Sequence, residues 1–337
     1  MTDLYILGGR QRRDFKSLEE EWFLFEKALI IHANAETGAH KICVEYETPP
    51  EARATERSSI LFKAGALRGD KLYACTSTEV MIYKTPEFER LAYISLPCFN
   101  DLHYVCPTPD NNLMVVITGL DMVAEITPEG KVLREWSVLF DDPWQRFSRQ
   151  IDYRKVPSNK PYRAHPNFVF WIGQDLWVTR ADLKDAVCLT HANQRIGIDI
   201  QMVHDGVPFQ DHIYFTSVDG KLVKVNQKTL QIDQMIDLNY VDNPDRVLLG
   251  WCRGVYVVDE KRVWVGFTRV RKTKWKEKVL WVKQQAFGPK EKPTRIALYD
   301  LEAQKILQEI DLEDLGMNAV FNMLPARDAT LIPLSNG

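Results

Sequence analysis

The stretch 98–136, CFNDLHYVCPTPDNNLMVVITGLDMVAEITPEGKVLREW, decides the fold. A short apolar segment, LHYVCP, comes first. The turn PTPDNN follows, rich in residues that pre-set turn dihedrals. LMVVIT is a continuous apolar run of strand length, as expected of a strand covered on both faces. GLD turns the chain into the alternating MVAEIT, and PEG turns it again into KVLREW. Four short strands joined by tight turns make a meander that buries little alone and needs neighbouring copies of itself.

Copies lie on both sides. KLYACTSTEVMIYKTPEFERLAYISL at 71–96 and HIYFTSVDGKLVKVNQKTLQIDQMIDL at 212–238 repeat the pattern. Weaker copies are DLWVTRADLKDAVCLTHANQRIGIDI at 175–200 and RVWVGFTRV at 262–270, resumed by TRIALYDLEAQKILQEIDL at 294–312. A threonine closes the second strand of four copies: Thr76, Thr118, Thr179 and Thr216. The spacing of roughly 40–60 residues is that of a four-stranded propeller blade plus loops. A sixth blade is expected from the chain ends, with NAVFNML at 318–324 pairing with N-terminal strands LYILGG, KALIIHAN and HKICVEYE. Such pairing closes the ring and removes open edges. The predicted fold is therefore all-β, a six-bladed β-propeller occupying 1–337 as a single domain.

Two long insertions interrupt the repeat and read as lids: 139–163, between blades, and 269–293, within one. The second holds nine lysines and arginines against two glutamates, with Trp275, Trp281 and Phe287 interleaved. Loops of this length in a compact domain usually carry function. Residues 11–28 suggest a short amphipathic helix, although their clustered apolar residues also suit a strand.

The remaining composition excludes several classes. The 337 residues are 45% apolar and 26% charged, with net charge −3. No global charge points to nucleic acid. No apolar run approaches the ~18 residues of a membrane span, and the start has no apolar core of a signal peptide. The six cysteines show no C-x-x-C pair and read as reduced, buried thiols of a cytoplasmic protein. There is no G-x-S-x-G, P-loop or G-x-G-x-x-G.

Chemistry in a propeller sits where the innermost strands begin. Counting back from each second strand lands near Phe62, His103, His165 or Pro166, Val203 or His204, Arg253 and Asn318. Three of the chain's seven histidines thus occupy equivalent places on consecutive blades. Three imidazoles with an open position suit zinc, iron or a similar divalent metal. His103, His165 and His204 are accordingly the expected metal ligands. Asn100, Asp101, Asn167 and Asp205 are expected to hold their free ring nitrogens. Arg253, together with Asp101 and Asp205, forms the expected catalytic set, the arginine gripping an anionic group through its bidentate fork. His32, His40, His191 and His212 have no repeat partner and read as structural. Asp141 and Asp142, before a proline, read as a turn.

With blades and axial residues placed, the chain over about 58–324 resembles six-bladed propellers of the strictosidine synthase-like, gluconolactonase-like, NHL-repeat and arylsulfotransferase group. The blade pattern TGLDMVAEITPEGKVLREW carries the likeness, which is specific for fold and poor for function. Gluconolactonase-like members hold an axial divalent metal with acidic and Asn side chains. Histidines stand at those places here, so those residues do not carry over. Arylsulfotransferases use axial His and Arg. The residue types agree with His103, His165, His204 and Arg253, but no catalytic motif surrounds them. The expectation is a metal-dependent enzyme, a hydrolase or lyase, acting on a small anionic substrate at the channel mouth. The alternatives are a non-catalytic propeller that binds a peptide or protein, and metal-free His/Arg group transfer.

Overall fold

The computed structural model describes residues 3–12, 25–56, 58–269 and 290–326. Twenty-four strands form six four-stranded antiparallel sheets. In the quoted stretch, β8 (Leu102–Pro107), β9 (Leu113–Ile117), β10 (Met122–Ile126) and β11 (Val132–Ser137) pair in sequence. Every residue of β8 and β9 is buried, whereas β11 is largely exposed. This gradient explains the pattern: inner strands are covered on both faces and read as continuous apolar runs, while outer strands have one wet face.

The same meander recurs as β4–β7 (from Ala66–Arg68 to Glu89–Ile94), β12–β15 (from Pro166–Ile172 to Arg195–Gly197), β16–β19 (from Val203–Phe209 to Ile232–Asp237) and β20–β23 (from Trp251–Val257 to Lys305–Asp311). The sixth sheet closes the ring. Its order is β24 (Ala319–Pro325), β1 (Leu4–Gln11), β2 (Phe25–Ala33) and β3 (His40–Tyr46), with Ile6 opposite Met323 and Gly9 opposite Ala319. The C-terminal strand is thus the innermost strand of a blade whose other three come from the N-terminus. A Cβ at Gly8 would lie 1.8 Å from the Ala319 carbonyl oxygen, so this seam requires glycine there.

The helix suggested for 11–28 gives way at its end to strand, because β2 begins at Phe25. Residues 13–24 lie outside the described residues. So do residues 270–289, and with them most of the insertion at 269–293. No helix among the described residues is long and apolar enough to cross a membrane. All six cysteines are free thiols; Cys75, Cys106, Cys188 and Cys252 are buried, while Cys43 and Cys98 are partly exposed.

Two of the repeated threonines tie neighbouring blades, whereas Thr76 donates to Glu79 and Thr216 to Asp205 within their own blades. The hydroxyl of Thr118 donates to the Pro166 carbonyl of the next inner strand at 2.6 Å. That of Thr179 donates to the Asp205 carbonyl at 2.6 Å. Thr268, at the end of β21 (Arg262–Thr268), does the same toward Val320 and accepts its amide at 2.9 Å. A hydroxyl at the strand end satisfies backbone groups that the meander itself leaves unpaired.

Candidate functional site

At the start of the inner strands the ladders are interrupted. The register shifts between Leu102 and Tyr104, between Pro166 and Phe168, between Asp205 and Val207, and between Cys252 and Val255. In β24 the shift leaves Phe321 without a partner on β1. Each bulge frees residues from the pleat and re-aims side chains, as bulges beside functional sites do. Asp101, His165 and Asp205 adopt left-handed φ values of 50°, 56° and 64° at these positions.

The result is a ring to which every blade contributes one side chain: Lys63, His103, His165, His204, Arg253 and Phe321. The Nε2 atoms of His103 and His165 are 3.4 Å apart, with ring centroids separated by 5.0 Å. The centroids of His165 and His204 are 6.2 Å apart. The Arg253 guanidinium stacks 4.3 Å from the centre of Phe321, and the Lys63 ammonium lies 5.9 Å from the same ring. Lys63 is ion-paired to Asp101 and stands 3.5 Å from His103 Nδ1. Tyr162, from the 139–163 insertion, donates to the other Asp101 oxygen at 2.6 Å. Lys63, His103, His204 and Arg253 are all buried.

The loop carrying His165 is held by a carboxylate. Asp121 accepts the amides of Arg163, Ala164 and His165 at 3.0–3.1 Å and pairs with Arg146. His103 is oriented by its own turn: Nδ1–H donates to the Asp101 carbonyl at 2.9 Å. That bond fixes the tautomer and leaves the Nε2 lone pair facing His165. His204 makes no hydrogen bond among the described residues.

Electrostatics favour neutral imidazoles between fixed cations. Burial, then the Lys63 charge, push the His103 pKa well below 6.5. Burial, then Arg253 and the neighbouring rings, do the same at His204. At Asp101 burial alone would favour the acid, but the charges of Lys63 and Lys160 outweigh it and hold its pKa well below the ordinary value. Beside the ring opens a cleft whose lining includes Ser59, Asp101, Arg154, Lys160 and Tyr162. Asp101 and Tyr162 belong to both.

The structure thus brings together four of the six positions counted from the sequence: His103, His165, His204 and Arg253. At the other two it differs. Lys63, and not Phe62, faces the axis; Phe62 packs outward against Tyr46 and Tyr83. A one-residue slip in register exchanges the faces. Phe321 takes the place expected near Asn318, whose side chain accepts the Gln11 amide. The expected supports of the rings also differ. Asp205 accepts the Thr216 hydroxyl and the Gly254 amide, tying two blades, and burial raises its pKa to about 6. Asn167 donates to the Val203 carbonyl, and Asn100 to the Tyr153 and Val156 carbonyls. Asp101 reaches His103 through its backbone, its carboxylate lying 4.0 Å from Nδ1. Tyr162 carried no signal, because it sits in an irregular loop. Among the described residues, the three-ligand set whose donor atoms all lie within 4.8 Å of one another is Asp175, Cys188 and His191, and not the three imidazoles.

No family model and no curated protein matches the chain. Solved structures do. A protein of unknown function from Bacteroides caccae superposes with a TM-score of 0.63 at 10% identity, over 97% of this chain and 100% of that one. A chain of the nidogen/laminin complex gives 0.55 at 7% identity, over 95% and 97%. A streptogramin B lyase gives 0.48 at 11% identity, over 92% and 88%. At these identities the likeness is one of fold, and the chain is a six-bladed β-propeller.

Proposed function

We propose that the ring is the catalytic centre of an enzyme acting on a small anionic substrate, with a divalent metal, zinc or iron, held by His103 and His165 and approached by His204. The carrying observation is the 3.4 Å separation of the two Nε2 atoms. In a tetrahedral shell with bonds of 2.0–2.1 Å, two nitrogens lie about 3.4 Å apart. For a direct N–H···N bond the same distance is long. With the His103 proton on Nδ1, an unprotonated nitrogen already points into the gap. A metal there supplies Lewis-acid polarisation of a substrate oxygen. Arg253, braced on Phe321, grips the anionic group by its fork. Lys63 neutralises Asp101 and adds positive potential on the opposite side. His204, without a hydrogen-bond partner among the described residues, offers a free ring nitrogen as the third ligand. The cleft bearing Arg154 and Lys160 accommodates the rest of the substrate. Hydrolysis and elimination both fit this set.

A metal-free reading is favoured by one observation: the three imidazoles span more than a ready coordination shell, and Lys63 stands 3.5 Å from His103. Metal analysis of the purified protein separates the two. Bound zinc or iron that is lost from His103→Ala and His165→Ala supports the metal centre. Metal-free protein whose activity survives chelation supports the other reading.

A further inference from the structure

On the opposite face of the disc, three donors from two strands and the turn that follows them converge. Pro166, next to His165, pairs with Arg180 at one end of a hairpin, and Asp175 pairs with Ile172 at the other. Cys188 pairs with Trp177, two residues along from Asp175, which brings its thiol to the same end. From Cys188 the chain runs CLTH, a C-x-x-H turn, and His191 folds back over the thiol. Its Nδ1 lies 2.8 Å from Asp175 Oδ1 and 3.9 Å from Cys188 Sγ. All three donor atoms fall within 4.8 Å of one another.

We propose that Asp175, Cys188 and His191 form a binding site for a thiophilic divalent metal, zinc foremost. The spacing is close to what zinc requires. Bonds of about 2.0–2.1 Å to nitrogen and about 2.3 Å to sulfur place N and S about 3.6 Å apart. The sulfur is already met by a backbone donor. The His191 backbone amide donates to Sγ at 3.1 Å, and the Thr190 hydroxyl sits 3.2 Å from it. Metal would displace the thiol proton, as thiolate ligation requires. The same Thr190 hydroxyl donates to Asp175 Oδ1 at 2.9 Å, orienting the carboxylate as partners of ligating carboxylates do. Without metal the imidazole donates its Nδ1 proton to Asp175; metal replaces that proton. The His191 side chain is 61% exposed, so the site opens to solvent and its fourth position is left to water. The chelate clips the turn before β15, an outer strand of three residues, Arg195–Gly197.

Cobalt(II) titration tests the site independently of the axial histidines, which offer no thiolate. Wild-type protein is expected to take up one equivalent with a thiolate-to-cobalt charge-transfer band, displaced by zinc. Cys188→Ser should abolish the band. Since Cys188 is buried, the exposed His191→Ala serves as the variant that keeps the fold. Its cobalt affinity should fall by more than the roughly 10- to 100-fold lost with an outer-shell partner. Absence of the band in wild type at saturating cobalt overturns the proposal, as does unchanged affinity in His191→Ala.

Discussion

The seven histidines divide by what surrounds them. Away from the channel mouth, His32, His40, His191 and His212 each face one aspartate at 2.8–3.0 Å: Asp3, Asp314, Asp175 and Asp233. At the channel mouth, His103, His165 and His204 face one another and two cations, with no carboxylate among the described residues closer than 3.7 Å to a ring nitrogen. Protonating His103 or His204 would bury a charge beside Lys63 or Arg253. The same side chain is thus a surface ion-pairing group in one place and a neutral donor of lone pairs in the other, and blade geometry decides which.

The largest effect should come from opening the ring. Truncation before residue 318 removes β24, with buried Ala319, Val320 and Met323, and removes Phe321 beneath Arg253. Losing several such side chains at roughly 2–5 kcal/mol each approaches the whole stability of a domain, about 5–15 kcal/mol. Thermal unfolding should lose its cooperative transition. A truncated chain with the same melting temperature would show that the inner group does not depend on closure.

Next is the contrast between the groups. His103→Ala is expected to lower zinc affinity more than about 100-fold, since it removes a ligand and not merely a supporting partner. His212→Ala, at a partly buried position away from the ring, should leave zinc binding unchanged and cost no more than about 1 kcal/mol, the worth of its pair with Asp233. Calorimetric zinc titration of both decides; equal losses would erase the distinction.

This contrast was partly legible in the sequence. The blades were, because turn residues and apolar runs repeat and the closing threonines recur. His103, His165, His204 and Arg253 were, because the repeat places them at equivalent strand starts. Lys63 was not: β4 is only three residues long, Ala66–Arg68, so no apolar run fixed its register. Tyr162 comes from an irregular loop, and Phe321 from a strand whose bulge shifts the count. Asp205 reads as a support for a ring nitrogen, yet its carboxylate is taken by Thr216 and Gly254, a tie between blades that no local pattern encodes. Cys188 and His191 read as a buried thiol and a structural histidine, because Asp175 joins them only through strand pairing.

A smaller effect separates the groups by pH. His103 and His204 have folded pKa values below the ordinary 6.5, so the unfolded chain binds more protons in the window beneath it. Metal-free protein should therefore lose stability as pH falls below about 6.5. The loss at each residue is at most about 1.4 kcal/mol for every tenfold by which folding weakens its proton affinity. His40 works in the opposite sense. Burial would lower its pKa, but Asp314 and the Gly38 carbonyl raise it, so its contribution is present at low pH and fades as pH rises through the folded value. Urea midpoints measured from pH 7.5 to 5.5 should fall more steeply in His40→Ala and less steeply in His204→Leu. The reverse order would contradict the assignment. Smaller again is Arg253→Lys, which loses the planar stack on Phe321, worth about 0.5–2 kcal/mol. Sulfate binding, read by calorimetry, should weaken about 2- to 30-fold; unchanged binding would take Arg253 out of the anion site.

The central claim is that the gap between His103 and His165 holds a metal. Anomalous diffraction at the zinc edge, from crystals grown with zinc, reads it directly. The account expects a peak about 2.0–2.1 Å from both Nε2 atoms. A peak at Cys188 and none between the two imidazoles, at saturating zinc, would contradict it.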